Sequence, residues 1–182
     1  MRLHTARLLL RPYLPTDLEP LHAFASDPRI SAFVEWGPNS RQDSRDFLAS
    51  CHAEEMAAPR AAYTFAVAVH AGLPMDAAGP DQGAPFGSVG LTLDQDGRTG
   101  EVGYVIAAER RGCGYATEAA AAVVRLGFDT LGLARLRATC RPENAASARV
   151  LEKLGMSLQG RLVRHKLIRG RWKDSLLFSI DR

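Results

Sequence analysis

The apolar pattern of the chain opens at Leu8-Leu9-Leu10, a short strand through Arg11 that Pro12 and Pro15 bring to a stop. Leu18, Leu21 and Phe24 then recur at helical spacing. Thr16 followed by Glu19 has the form of a capping box, so a helix is predicted from Thr16 to about Ser26. Ser40 caps a second predicted helix running to about Ala57, with Phe47, Leu48 and Cys51 on its apolar face. The period then changes. Tyr63, Phe65, Val67 and Val69 alternate with smaller residues, the signature of a strand. Residues 71–85, rich in Gly, Pro, Ala and Asp without any period, read as a long, mobile hairpin loop. Phe86–Leu93 and Glu101–Ala107 are the next strands, joined by the turn Asp94-Gln95-Asp96-Gly97. Ala116 to Leu131 has helical spacing without proline and ends at Gly132. Leu136–Cys140 is a strand, Asn144 caps a last helix, and Gly155 stops it. From about Ser157 to Ile180 two strands flank the turn Arg169-Gly170-Arg171. The order β-α-α-β-β-β-α-β-α-β-β predicts an α/β fold, a mixed sheet with helices on both faces.

A chain of 182 residues suits one packed domain, 1–182, and is short for two. No run of about 18 apolar residues occurs, so no membrane span is expected. Cys51, Cys113 and Cys140 are far apart and form no C-x-x-C pair, which predicts neither a metal site nor a disulfide framework and fits a reducing cytoplasm. The five histidines show no ligand spacing, and a net charge of +3 gives no argument for a nucleic-acid partner. The basic run Arg161, Arg164, His165, Lys166, Arg169, Arg171 and Lys173 reads as a solvated hairpin face. Its alternative is a landing surface for an acidic or RNA-associated partner.

The densest chemistry lies in Arg110-Arg111-Gly112-Cys113-Gly114-Tyr115-Ala116-Thr117-Glu118, between the strand at 101–107 and the alanine-rich helix. Glycine allows a sharp turn and close backbone approach, and the helix start gathers free N–H groups where its dipole favours negative charge. Two arginines stand beside it, which makes a phosphate site. A Walker loop is excluded because no lysine follows the glycines. A dinucleotide loop fits Gly112 and Gly114 but meets Thr117 at its third position, and the strand after the helix carries no acid for a ribose. The pattern Q/R-x-x-G-x-G/A matches Arg111, Gly114 and Ala116.

On these residues the run resembles the pyrophosphate loop of the GNAT superfamily of acetyl-CoA-dependent N-acetyltransferases. Thr5-Ala6-Arg7-Leu8-Leu9-Leu10-Arg11-Pro12 resembles the opening of its RimJ/RimL-type subgroup, the ribosomal-protein amino-terminal acetyltransferases. Glu101-Val102-Gly103-Tyr104-Val105-Ile106 is similar to that subgroup's central strand, and Asn144-Ala145-Ala146-Ser147 with Val150 to Met156 to its last helix. The resemblance implies a mostly antiparallel single-domain sheet and acetyl-CoA as cosubstrate, with no metal. It implies that the backbone of Val105, Ile106 and Ala107 holds the pantetheine arm, with an N–H near Val105 polarising the thioester carbonyl. Arg110, Arg111, Gly112, Cys113, Gly114, Tyr115, Ala116 and Thr117 would hold the pyrophosphate, and Asn144 would contact the pantetheine amide. Where many members carry a tyrosine acid this chain has Leu151. RimJ/RimL-type relatives share that departure, and there the serine matching Ser147 partners the thiol.

The chemistry sets the demand on the base. At pH 7 a lysine amine is neutral in about 0.04% of molecules and an α-amine in roughly 14%. A single carboxylate acting through water therefore serves an amino terminus better than a lysine. Glu101 is that candidate base; read from the residues alone it is equally a solvated acid at a strand end. Ser147 is equally a helix-start residue bonding backbone. Cys113 has no histidine near it in sequence and is not read as a nucleophile. Phe33, Trp36 and Trp172 are candidates for the acceptor pocket, though residue type alone favours a place in the core for each. The expected partner is a primary amine, first a peptide or protein amino terminus. A polyamine or antibiotic, or a non-catalytic acyl-CoA-binding module, are the alternatives. A homodimer is left open.

Overall fold

The computed structural model describes residues 1–70 and 83–182; the loop expected at 71–85 lies mostly outside them. Among these residues eight strands form one sheet in the order β1-β2-β3-β4-β5-β6-β8-β7: β1 (Leu3–His4), β2 (Leu8–Arg11), β3 (Ala62–Val69), β4 (Gly87–Leu93), β5 (Thr99–Ile106), β6 (Arg135–Cys140), β7 (Ser157–Ile168) and β8 (Arg171–Asp181). Every pairing is antiparallel except β5 with β6. Among the described residues five α-helices accompany the sheet: α1 (Leu18–Ala25), α2 (Pro28–Ser31), α3 (Arg41–Met56), α4 (Tyr115–Arg125) and α5 (Ala145–Lys153).

Period-2 alternation divides the core between the two faces. Phe65, Val67, Val89, Leu91, Val102 and Ile106 pack with Ala119, Ala120 and Val123 of α4 and Leu151 of α5. Ala66, Ala107 and Val105 face the other way, against Leu21 and Phe24 of α1 and Phe47, Leu48 and Cys51 of α3. Tyr13 joins this second layer, and its phenol donates to the Gly87 carbonyl at 3.1 Å.

Three local expectations change. The capping box at Thr16 and Glu19 does not form. Asp17 Oδ2 accepts instead from the Leu14 N–H at 2.7 Å, and a 3-10 turn Pro15–Asp17 precedes α1. Asp17 takes this place because Arg11 grips its carboxylate at 2.6 and 2.8 Å with both groups buried, whereas Glu19 reaches outward to Arg41. The long helix runs regularly only to Arg125 and widens into a π-helical segment, Leu126–Thr130, before Gly132 turns the chain at φ 69°. The two-residue strand β1 and the one-turn helix α2 were too short for a periodic signal. By contrast Ser40 caps α3 as expected, exchanging bonds with Asp43.

Candidate active site

The parallel seam between β5 and β6 is short. It joins Thr99 to Arg135, Gly100 to Leu136 and Glu101 to Arg137, and then opens. Beyond Glu101, β5 stays with β4 as far as the pair Gly87 and Ile106, while β6 stays with β8 as far as Cys140 and Leu176. A wedge is left between two strands of one sheet. It is continuous with a cleft of about 880 Å³ walled by Phe24 of α1, the segment 33–39, Phe47 of α3, and the facing residues of β4, β5 and β6.

Backbone alternation decides what β5 offers to the wedge. Asp94 N–H donates to the Thr99 carbonyl and Ala107 N–H to the Phe86 carbonyl. In an antiparallel ladder alternate residues turn their main-chain groups to the same neighbour, so Glu101, Gly103, Val105 and Ala107 face β4. Val102, Tyr104 and Ile106 turn their N–H and C=O groups the other way, into the wedge. Of the three residues expected along a bound arm, Ile106 turns its main-chain groups to the wedge, as Tyr104 does, while those of Val105 and Ala107 point to β4. Ala107 is further occupied, its carbonyl accepting from Arg110 N–H at 2.9 Å.

Glu101 sits at the closed end of the wedge. Its carboxylate lies 3.5 Å from Arg137 Nε and 3.5 Å from Thr139 Oγ1, both at the outer limit of a hydrogen bond. Arg137 is engaged elsewhere, forked onto Asp94 at 2.6 and 2.8 Å. The Glu101 carboxylate thus keeps free lone pairs toward the cleft, as a proton acceptor requires. Across the wedge, Asn144 caps α5 by accepting from Ser147 N–H at 3.1 Å. Ser147 Oγ lies 2.9 Å from the Tyr104 phenol, which also donates to the Ser147 carbonyl at 3.1 Å. Burial pushes the Tyr104 phenol up to about 12, against the opposing effect of its bond to Ser147. The raised value keeps the Tyr104 phenol protonated, and so a donor, around neutral pH. Burial likewise raises the Cys140 thiol beside this pair.

The glycine turn comes after β5 and a 3-10 turn, Ala108–Arg110. Gly112 and Gly114 take φ of 81° and 80°, a left-handed conformation that side chains disfavour, and Gly114 is the N-cap of α4. Gly112 and Cys113 are exposed, and Tyr115, Ala116 and Thr117 start a helix whose first N–H groups have no partner within the helix. Arg110 lies over the Phe86 ring at 5.5 Å. Arg111 folds back, donating to the carbonyls of Ile106 and Arg29 at 3.3 Å. The amino-terminal strand pins this turn. Arg7 donates to the Cys113 carbonyl at 2.9 Å and lies 4.7 Å over the Tyr115 ring, and with Thr5 it holds Glu118.

Of the expected pocket aromatics, Phe33 and Trp36 line the cleft. Trp172 does not; it is exposed on the β7–β8 hairpin under Arg164. Sequence reading missed Tyr104, Thr139 and the Glu118 clamp. Tyr104 shares the period of Val102 and Ile106 and reads as core, and Glu118 lies 111 residues from the Arg7 it meets. Among the described residues no group of three metal-ligating side chains occurs, and no helix is long and apolar enough to cross a membrane.

Comparison with known proteins agrees with this architecture. The family profile "Acetyltransferase (GNAT) domain" matches residues 7–157. The uncharacterized N-acetyltransferase YnaD of Bacillus subtilis is 28% identical over 160 residues, which cover 88% of this chain and 85% of that protein. A GNAT-family acetyltransferase from Bacillus anthracis has a TM-score of 0.84 at 28% identity, covering 100% of this chain and 98% of that one. A spermidine N-acetyltransferase from Vibrio cholerae, solved with CoA and spermine, shares the fold with a TM-score of 0.77 at 22% identity, covering 97% and 96%.

Proposed function

The chain belongs to the GNAT acetyltransferase family and is an acetyl-CoA-dependent N-acetyltransferase, and from that premise we propose that its acceptor is the α-amine of a peptide or protein amino terminus. One observation carries the reading: the wedge brings the Glu101 carboxylate, the main-chain groups of Tyr104 and Ile106 and the Ser147 hydroxyl onto one opening, and the glycine turn follows the far end of β5. The site fits acetyl-CoA by its own chemistry. The exposed turn at Gly112–Gly114 and the start of α4 suit a pyrophosphate, with Arg110 beside them, and the outward groups of β5 suit an amide-bearing arm. Acetyl-CoA supplies an activated acyl carbon whose thiolate leaves with modest help.

The chain's own residues do the rest. Glu101 accepts the proton of the attacking amine, directly or through water. An N–H of Tyr104 or Ile106 donates to the developing oxyanion. Ser147 donates to the departing thiolate. The Tyr104 phenol has one proton for two acceptors, the Ser147 carbonyl and Oγ. When that proton turns to Oγ, the serine hydroxyl is released to bond the thiolate.

The α-amine is favoured because Glu101 is the base the cleft offers, with no histidine among the residues lining it. The difference of roughly 2.6 pKa units between lysine and an α-amine is about 3.5 kcal/mol of deprotonation. A polyamine is the second reading, since Glu35, Asp43 and Glu101 line the cleft against Arg141. Two of those acids are already engaged, however: Glu35 with Lys166 at 3.1 Å, and Asp43 with Ser40.

Thiol release with acetyl-CoA, followed by mass spectrometry of the product, tests the assignment. Peptides with free amino-terminal Ala or Ser are acetylated faster than the same peptides blocked at the terminus but carrying lysine, and faster than spermidine. Lysine or spermidine reacting at comparable rates overturns it. Acetyl-CoA binding without turnover of any amine would instead support a binding module.

A further inference from the structure

Arg141 follows the last residue of β6 and is only 7% exposed. Its Nη1 donates to the main-chain carbonyl of Asp174 at 3.0 Å. That uses one of the five N–H donors of a guanidinium. No carboxylate within salt-bridge distance of it occurs among the described residues. The carboxylate of Asp174, the residue whose carbonyl it holds, is turned to Arg161 and to the Arg164 N–H. A buried cation without an anion is costly and rare in a finished core.

A second cavity of about 450 Å³ opens beside this guanidinium. Arg141 and Phe33 line both cavities, so the two spaces adjoin. The smaller one is further lined by Ala32, Ile168, Glu143, Arg169 of the hairpin turn, and Arg171 and Lys173 at the start of β8. Arg171 and Lys173 alternate on one face of the strand and enter no ion pair among the described residues. Arg169 donates to the carbonyls of Trp36 and Gly37 at 3.0 and 2.6 Å, which orients it without neutralising it. Four cations thus meet one carboxylate. The field extends to His165, whose pKa is lowered first by burial and then by Lys166 and Arg141.

We propose that this second cavity is an oxyanion subsite of the acceptor cleft, and that it reads a carboxylate or phosphate carried by the acceptor peptide downstream of its amino terminus. The proposal rests on the amino-terminal reading above and narrows it to acidic amino-terminal segments. Arg137 pairs with Glu101, and Arg141 lies four residues further along the chain, just past the end of β6. At about 3.3 Å per residue this is about 13 Å. The anion therefore belongs roughly four residues after the reacting amine in an extended chain.

The test uses heptapeptides with a free amino-terminal alanine and Asp, phosphoserine or Asn at position five. In the wild-type protein both acidic peptides have a lower KM than the Asn peptide, and the two arms separate carboxylate from phosphate preference. In R171Q/K173Q the KM for the preferred acidic peptide rises about tenfold more than that for the Asn peptide. Equal KM values for all three peptides in the wild type, or a rise that does not discriminate between them, overturn the subsite while leaving the amino-terminal reading intact. Binding is followed independently of turnover by titrating inorganic phosphate into the CoA-loaded protein and watching the Arg141 side-chain N–H and His165 ring resonances. Saturable shifts at both, weakened in R171Q/K173Q, are expected; resonances that do not move refute the subsite even if no peptide is turned over.

Discussion

Replacing Glu118 with glutamine removes the charge that ties the amino-terminal strand to the head of α4. The carboxylate accepts from Thr5 Oγ1 at 2.6 Å, from the Arg7 N–H at 2.8 Å and from Arg7 Nε at 2.7 Å. A glutamine amide has one acceptor oxygen, and its NH₂ would face the Arg7 donors. Bonds to a charged group contribute about 1.5–3 kcal/mol. Because the Arg7 side chain is 42% exposed, solvent screening puts the loss at the lower end, about 1.5–2 kcal/mol. At roughly 2–4 °C per kcal/mol for a chain of this size, Tm falls by about 3–8 °C at pH 7. The pH dependence identifies the cause. Burial alone would raise the Glu118 pKa, but the bonds from Thr5 and Arg7 outweigh it and hold the folded value below the ordinary 4.5. Its contribution is complete above the unfolded value and is lost as pH falls through the folded one. The Tm gap is therefore constant near neutrality and closes in acid. Because Arg7 also holds the Cys113 carbonyl, CoA affinity drops a few-fold as well. Calorimetric melts across pH and titration with CoA measure both effects. A wild-type Tm at pH 7, or a gap that persists in acid, would refute the reasoning.

Three further outcomes are expected. Glu101→Gln keeps size but cannot accept a proton, so kcat falls about a hundredfold, and the loss shrinks as pH rises because more amine is already neutral; a loss independent of pH points to a binding role. Tyr104→Phe and Ser147→Ala act on one unit, so in single-turnover kinetics the double variant is no slower than Ser147→Ala alone, whereas multiplying losses would separate them. At Gly87 a Cβ would meet the Val105 carbonyl oxygen at 2.5 Å, so Gly87→Ala destabilises by about 1–3 kcal/mol in denaturant melts and weakens CoA binding by displacing β5.

The elements of the fold were legible because each long segment keeps one period. β3 alternates, α3 carries a cap and an apolar face, and Gly155 ends α5 at φ 80°. The glycine turn was legible as a turn because Gly112 and Gly114 stand between a strand pattern and a helix pattern, and both take positive φ. What stayed hidden depends on contacts between distant residues. Nothing in Thr16 or Glu19 reveals that Asp17 is claimed by Arg11. No local pattern shows that Arg141 loses its carboxylate neighbour to Arg161, or that Tyr104 meets Ser147 across 43 positions. The short seam of β5 and β6 has no one-residue signal, because it depends on where two strands part.

The parity of β5 explains why core and site cannot be varied separately. In a strand, side chains alternate between faces and main-chain groups alternate between neighbours with the same period of two. Val102, Tyr104 and Ile106 send their side chains to the α4 layer, and the same parity turns their N–H and C=O groups into the wedge. Glu101 belongs to the other parity, which ties its main chain to β4 and puts its carboxylate on the α1–α3 face with the cleft. A slip of one residue would bury Glu101 under α4 and expose Val102 and Ile106. It would also turn the Val105 and Ala107 main-chain groups into the wedge. The hydrophobic pattern that fixes this register therefore also fixes which main-chain groups meet a bound acyl donor, and core substitutions at 102, 104 or 106 act on the site through register as well as packing.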